Sequence, residues 1–235
     1  MRGIIQPHGA KSVISKEAKR VSYLTSDMAR EAITKMQSFH NDVVGVFDEH
    51  GMDLLDNLGR RNIVMSQAQE KFFAQVLSDH YEGVNADGRT GQPDIVIGGI
   101  DKEIECKLTS RHKGGAISFQ SDYETLSQKG ELDYLYVIAD GDFSSFSVLH
   151  FVGLTVDDFR PVANGSRGKV AMYKHKGMKK CRVLMGDVID LNEMNLKKLS
   201  GRLKKGRTKK IDSSINYWKS TPTKYRFCLE EVSSR

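Results

Sequence analysis

Asp94, Glu103, Glu105 and Lys107 have the types and the spacing to act on a phosphate ester. The stretch 102–108, KEIECKL, reads as a β-strand. Side chains alternate across a strand, so Glu103, Glu105 and Lys107 share one face and Ile104, Cys106 and Leu108 the other. Successive members of one face stand about 7 Å apart. Asp94 lies eleven residues before Glu105, at the start of a preceding strand 94–97, across a tight turn at Gly98 and Gly99. A hairpin of that length brings Asp94 level with Glu105 and Lys107. Two converging carboxylates repel each other and are costly without a cation. Mg²⁺ meets that need, because it takes oxygen ligands, typically one or two carboxylates plus substrate phosphates. A lysine beside such a metal positions the attacking water, while the metal lowers that water's pKa and offsets charge on the phosphate. Glu103 is expected to face solvent, and to replace Glu105 as ligand if the register differs.

Taken singly, each residue has a plainer reading. Asp94 after Pro93 is a polar start to a strand. Glu105 and Lys107 form an ion pair on a half-exposed strand, worth little to stability. Glu70, placed on the first turn of a helix, is favoured there by the helix dipole. The joint arrangement favours the catalytic reading.

Pro93-Asp94, a strand, a turn and then Glu105-Cys106-Lys107 resemble the PD-(D/E)xK signature of the restriction-endonuclease-like nucleases. Glu70 resembles the acidic residue that this family often carries on a helix before the motif. Gln120 sits where many members have a supporting glutamine. The resemblance covers 66–139. It implies an α/β fold with a restriction-endonuclease-like core, a central mixed β-sheet flanked by helices. It implies Mg²⁺, with Mn²⁺ as a substitute, held by Asp94, Glu105 and the Cys106 backbone carbonyl. Lys107 would hold the nucleophilic water. Glu70 would orient water or Lys107, or help to hold a second ion. The reaction it implies is phosphodiester hydrolysis, and the product would carry a 5′-phosphate.

The member class it suggests is a type II restriction endonuclease cutting double-stranded DNA. Such an enzyme is expected as a homodimer, since protein symmetry mirrors site symmetry. The rivals are a repair nicking enzyme, a junction resolvase or a phage nuclease of the same fold. A rival of another class is a non-catalytic basic DNA-binding protein with a vestigial motif, against which the intact Asp94, Glu105 and Lys107 speak.

These side chains need a scaffold, and the pattern supplies one. From Ser26, apolar residues recur at three- and four-residue steps (Met28, Ala32, Ile33, Met36, Phe39, Val43, Phe47), which predicts a helix capped by Ser26 or Asp27 and ended by Gly51. A short helix is expected over 52–58. A further helix is expected over 67–81, with Ser66 as N-cap and Gln69 at capping-box spacing. The stretch 83–92 reads as loop, 116–120 as a short segment and 121–129 as helix. The stretches 133–139 and 146–152 read as strands, the first buried on both faces. The last third is less regular and basic.

Length and composition fit one domain over 1–235: a catalytic core over about 60–155, a helical part over 1–60 and a basic part over 156–235 that offers DNA contacts. Hydrophobic residues make up 39% and charged residues 28%, enough to bury a core. Net charge is +6, which favours polyanionic partners, nucleic acid first and an anionic membrane second. Arg111, His112 and Lys113 follow the motif strand, and Lys204, Lys205, Arg207, Lys209 and Lys210 lie in a basic run; both groups are candidate phosphate contacts. Tyr217 and Trp218 are expected to close a small core. The cysteines Cys106, Cys181 and Cys228 have neither zinc nor disulfide spacing. No apolar run is long enough for a signal peptide or a membrane span. The expected setting is the cytoplasm, the source bacterial, archaeal or phage.

Overall fold

Thr25 opens the first helix: its side chain accepts the Met28 N–H at 3.2 Å, a donor that the first turn leaves unpaired. The cap therefore lies one residue before the expected Ser26. Helix α1 (Ser26–Glu49) buries Met28, Ala29, Ala32, Ile33, Met36 and His40, one face at helical spacing. Gly51, at φ +66°, turns the chain away in the left-handed region open to glycine. Residues 52–57 form bends instead of the expected short helix. The computed structural model describes residues 22–86, 92–110, 117–162 and 168–186.

Helix α2 (Leu58–Ser78) starts nine residues before the position expected from sequence. Its cap is Asn57, which accepts the Arg60 N–H at 3.1 Å. Ser66 is an interior residue whose hydroxyl donates to the Ile63 carbonyl. Glu70 consequently sits deep in the helix, where the N-terminal dipole has faded, and the dipole does not account for it.

The strands are β1 (Val84–Asn85), β2 (Ile95–Ile97), β3 (Lys102–Ser110), β4 (Gln120–Asp122), β5 (Leu132–Ala139), β6 (Phe146–Leu154), β7 (Lys169–Ala171) and β8 (Cys181–Gly186). Among the described residues they build a six-stranded mixed sheet, β1-β2-β3-β5-β6-β8, and a small β4-β7 pair. All neighbours in the large sheet run antiparallel except β3 and β5. A parallel pair cannot be closed by a hairpin, so the chain crosses over through β4 and helix α3 (Tyr123–Lys129), capped by Asp122. The sheet includes β8, so residues 181–186 add an edge strand to it.

The β2–β3 link is a 3-10 turn (Gly98–Ile100) followed by Asp101 at φ +52°. The glycines are needed because another turn presses on them. Gly99 N–H donates to the Glu82 carbonyl at 2.9 Å, and a Cβ on Gly99 would stand 3.0 Å from that oxygen.

Every residue of β5 and β6 is buried, because layers cover both faces of the sheet. Helices α1 and α2 cover one face over Ile95, Ile97, Ile104, Cys106, Leu135 and Val137. The other face is covered by β4, β7, α3 and the helical turns Lys174–Gly177 (α4) and Met178–Lys180, over Tyr134, Tyr136, Leu149 and Phe151. The protein is thus α/β, with a mixed central sheet flanked by helices. Among the described residues no helix is long and apolar enough to cross a membrane.

One core residue makes stability pH-dependent. His150 in β6 is fully buried; its Nδ1 shares a 2.8 Å hydrogen bond with the Ser22 hydroxyl, and its Nε2 has no partner among the described residues. Burial, aided by Lys102, lowers its pKa to about 3. The folded state therefore binds this proton less readily than the unfolded chain, whose value is near 6.5. The stability from neutral His150 is complete above that value and is lost as pH falls toward 3, with a slope up to about 1.4 kcal/mol per pH unit. His150→Phe keeps the edge-on contact with Tyr23 and should flatten the profile between pH 6.5 and 4 in urea titrations. An unchanged slope would clear His150 of this role.

Candidate active site

Strand β2 begins at Ile95, paired with Ile104, immediately after Asp94. Pro93 has no N–H to continue the ladder. Cys106 N–H therefore lies beyond the last paired residue of β3, and the Asp94 carboxylate takes it at 2.7 Å in place of a strand carbonyl. The Cys106 carbonyl leaves the strand along the same edge. The register of β2 on β3, continued by one residue, sets Asp94 opposite Glu105.

Along β3 the expected alternation is present. Ile104 and Cys106 are buried under the helices. Glu105 and Lys107 are registered with Tyr134 and Tyr136 of β5 and so point to the opposite face. Lys107 Nζ pairs with Glu105 Oε1 at 2.5 Å. The Glu105 side chain is 13% exposed and that of Lys107 32%, so the pair is sheltered but open to a ligand.

Glu70 reaches this group from α2. Burial first, then the Asp94 carboxylate, pushes its carboxyl up to about 7; Glu105 adds to the rise and Lys107 opposes it. Asp94 is pushed up to about 6 by burial and by Glu105, against Lys107 and the Cys106 N–H. Burial works against the Lys107 charge, but Glu105 and Asp94 outweigh it and hold the ammonium above the usual lysine value. Three acids thus share one lysine in a partly dry place, a surplus of negative charge that a cation would relieve.

That surplus has a measurable cost. Asp94 and Glu70 bind their protons more tightly in the folded state than unfolded. Their contribution is complete below the ordinary values, 3.8 and 4.5, and is lost as pH rises through about 6 and about 7. Asp94→Asn and Glu70→Gln should therefore stabilise the metal-free protein at pH 8 by ~1–3 kcal/mol and leave it nearly unchanged at pH 4. Urea unfolding in chelator at the two pH values checks this; variants less stable than wild type at pH 8 would contradict it.

Other expected residues stand apart. Glu103 shares the Glu105 face, but its carboxylate pairs with Lys129 of α3 at 2.9 Å. Gln120 is exposed; its main-chain carbonyl accepts the Tyr136 hydroxyl at 2.6 Å, and its side chain makes no hydrogen bond to Asp94, Glu105 or Lys107. Arg111, His112, Lys113, Lys204, Lys205, Arg207, Lys209, Lys210, Tyr217, Trp218 and Cys228 lie outside the described residues. Cys106 is a buried free thiol.

Among the described residues no three His, Cys, Asp or Glu side chains form a ready metal cage. The donors on offer are the Asp94 and Glu105 carboxylates and the Cys106 carbonyl, with Glu70 beside them. All are hard oxygen donors, and Mg²⁺ needs only one or two protein carboxylates when water and phosphate complete its shell. The donor set therefore fits Mg²⁺. No known family model, curated protein or solved structure matches this chain.

Proposed function

We propose that this protein is a Mg²⁺-dependent endonuclease of the PD-(D/E)xK type that hydrolyses DNA phosphodiester bonds and leaves 5′-phosphate ends. The closest member class is a type II restriction endonuclease acting on double-stranded DNA as a homodimer. The observation that carries this reading is the meeting of Asp94, Glu105 and Lys107 where β2 begins and the edge of β3 is open. A mere surface ion pair would not gather a second and a third carboxylate around it in a partly buried place.

Asp94, Glu105 and the Cys106 carbonyl would hold the ion, which supplies charge neutralisation at the phosphate and a more acidic bound water. Lys107, kept protonated by Glu105, acts as a donor and not as a base. Its ammonium can orient an attacking water and stabilise charge on a non-bridging phosphate oxygen. Glu70, which gains or loses its proton near neutral pH, is suited to accept a proton from that water or to orient it.

Digestion of phage DNA of known sequence with Mg²⁺ or Mn²⁺, followed by sequencing of the ends, tests the reading. Discrete, recurring ends with 5′-phosphates are expected. Cutting confined to nicked or branched DNA would move the protein to the repair or junction enzymes. No cutting across duplex, nicked and branched substrates with either metal would sink the enzymatic reading.

A further inference from the structure

Charge is divided across the central sheet. The helical side, residues 22–86, carries ten Asp and Glu against five Lys and Arg, a net −5. In the opposite layer, residues 117–131 carry three acids against Lys129, a net −2, whereas the lobe over 156–162 and 168–180 carries two acids against six Lys and Arg, a net +4. Of those two acids, Asp158 is buried and paired with Lys180 at 2.7 Å. Arg160, Lys169 and Lys176 are exposed, and none forms an ion pair among the described residues. Arg160 and Lys176 flank the half-buried Tyr173 ring, with their charges 5.9 Å and 5.2 Å from its centre. The field of the lobe is felt within it: His175 is lowered by burial and then by Lys176 and Lys179.

This lobe lies on the same face of the sheet as Glu105 and Lys107. Strand β7 pairs with β4, and the Tyr136 hydroxyl bonds the Gln120 carbonyl of β4. Lys174 Nζ stands 5.7 Å over the Phe119 ring, which packs edge-on against Tyr136, the registered neighbour of Lys107. A long polyanion reaching Lys107 from this side meets the cations, whereas the acidic helices repel it from the other side.

We propose that Arg160 and Lys176, on either side of Tyr173, together with Lys169 on the same outward face of β7, form a sequence-independent contact surface for the phosphate backbone of duplex DNA beside the cut. As a substrate-holding surface it rests on the nuclease reading. A membrane surface fits less well. Interfacial docking needs apolar side chains to insert, and Val162 is the one large exposed hydrophobic residue of the described lobe. Phosphate contacts of this kind give affinity and orientation without reading bases.

The test is binding of the full chain to a fluorescent duplex in chelator, so that no cutting intervenes, from 50 to 200 mM salt. An Arg160→Ala/Lys169→Ala/Lys176→Ala variant is compared with an Arg30→Ala/Arg60→Ala/Lys71→Ala variant on the helical side. The lobe variant should bind about tenfold or more weakly at 0.1 M salt, with its log–log salt slope reduced by ~2–3, near one per lost contact. The helical variant should stay within about twofold of wild type. Melting temperatures of both confirm folding. Equal losses in both variants, an unchanged slope in the lobe variant, or no duplex binding by wild type would overturn the proposal. So would lobe-dependent binding to phosphatidylserine vesicles without a matching effect on DNA. Lobe-dependent DNA binding in a protein that never cuts would retain the surface and remove the nuclease reading; cutting with lobe-independent binding would do the reverse.

Discussion

Asp94→Ala and Lys107→Ala are each expected to lower the rate of Mg²⁺-dependent DNA cleavage by on the order of 10²–10³-fold or more, the range seen when one pre-organised electrostatic group is removed. The two losses should differ in kind. Asp94 has two roles: its carboxylate is a proposed metal ligand, and it caps the Cys106 N–H at the open edge of β3. Asp94→Asn keeps an acceptor for that N–H but loses the charge, so it should fold like wild type and still fail to cut. Lys107 is a proposed donor to water or phosphate, and its removal leaves Glu105 without its 2.5 Å partner. Lys107→Ala should therefore retain metal binding while losing rate, with kcat reduced more than KM is raised. Cleavage assays with metal titration separate these outcomes. Both variants cutting as fast as wild type would remove the site assignment. Glu103→Ala is the internal control: its carboxylate is held by Lys129, and its loss should change the rate by less than about tenfold.

Arg61→Ala is expected to destabilise the fold by ~3–5 kcal/mol, the largest effect expected of any single change outside the site. Arg61 is fully buried in α2. Its guanidinium donates to the carbonyls of Asp140 at 2.9 Å and Gly141 at 2.7 Å, and to the Ser110 hydroxyl at 2.7 Å. It also lies 4.9 Å from the centre of the Phe143 ring, a residue held at φ +62°. Ser110 ends β3 and Asp140 follows β5, so one side chain ties α2 to the ends of both parallel strands. Removing it leaves the buried Ser110 hydroxyl and two part-buried carbonyls without that donor, costing about 1–3 kcal/mol where water does not replace it, and empties the space that the side chain fills. Arg61→Lys should recover little, because one ammonium cannot span the fork that the guanidinium fills. Urea titration should show a lower midpoint at unchanged slope; a loss under about 1 kcal/mol would mean that water replaces these bonds.

The two regions differ in how legible they were. The period-two pattern of 102–108 is a local property, and the exposure of β3 follows it. The start of α2 was hidden because residues 58–66 include Arg60, Arg61 and Asn62, which read as polar surface. Arg61 is in fact buried, paired with carbonyls far along the chain, and no local pattern announces that. The basic lobe is legible in outline, within the basic part expected over 156–235: residues 169–182 hold six Lys and Arg and no acid. The choice between Glu103 and Glu105 had no signal, since both occupy the same face.

The sequence by itself determined that a strand would present Glu103, Glu105 and Lys107 on one face with Ile104 and Cys106 opposite, and that Asp94 would arrive from a neighbouring strand across a glycine turn. Periodicity and turn chemistry act over a few residues, so a single chain segment carries them. The tertiary structure decided which acids meet. Helix α3 places Lys129 against Glu103 and so leaves Glu105 to Lys107. Pro93 ends the ladder and turns Asp94 onto the Cys106 N–H. Helix α2, starting at Asn57, carries Glu70 to the same place. Burial then raises the Asp94 and Glu70 carboxyls toward neutrality, a consequence of desolvation by side chains distant in sequence, which no spacing of residues encodes.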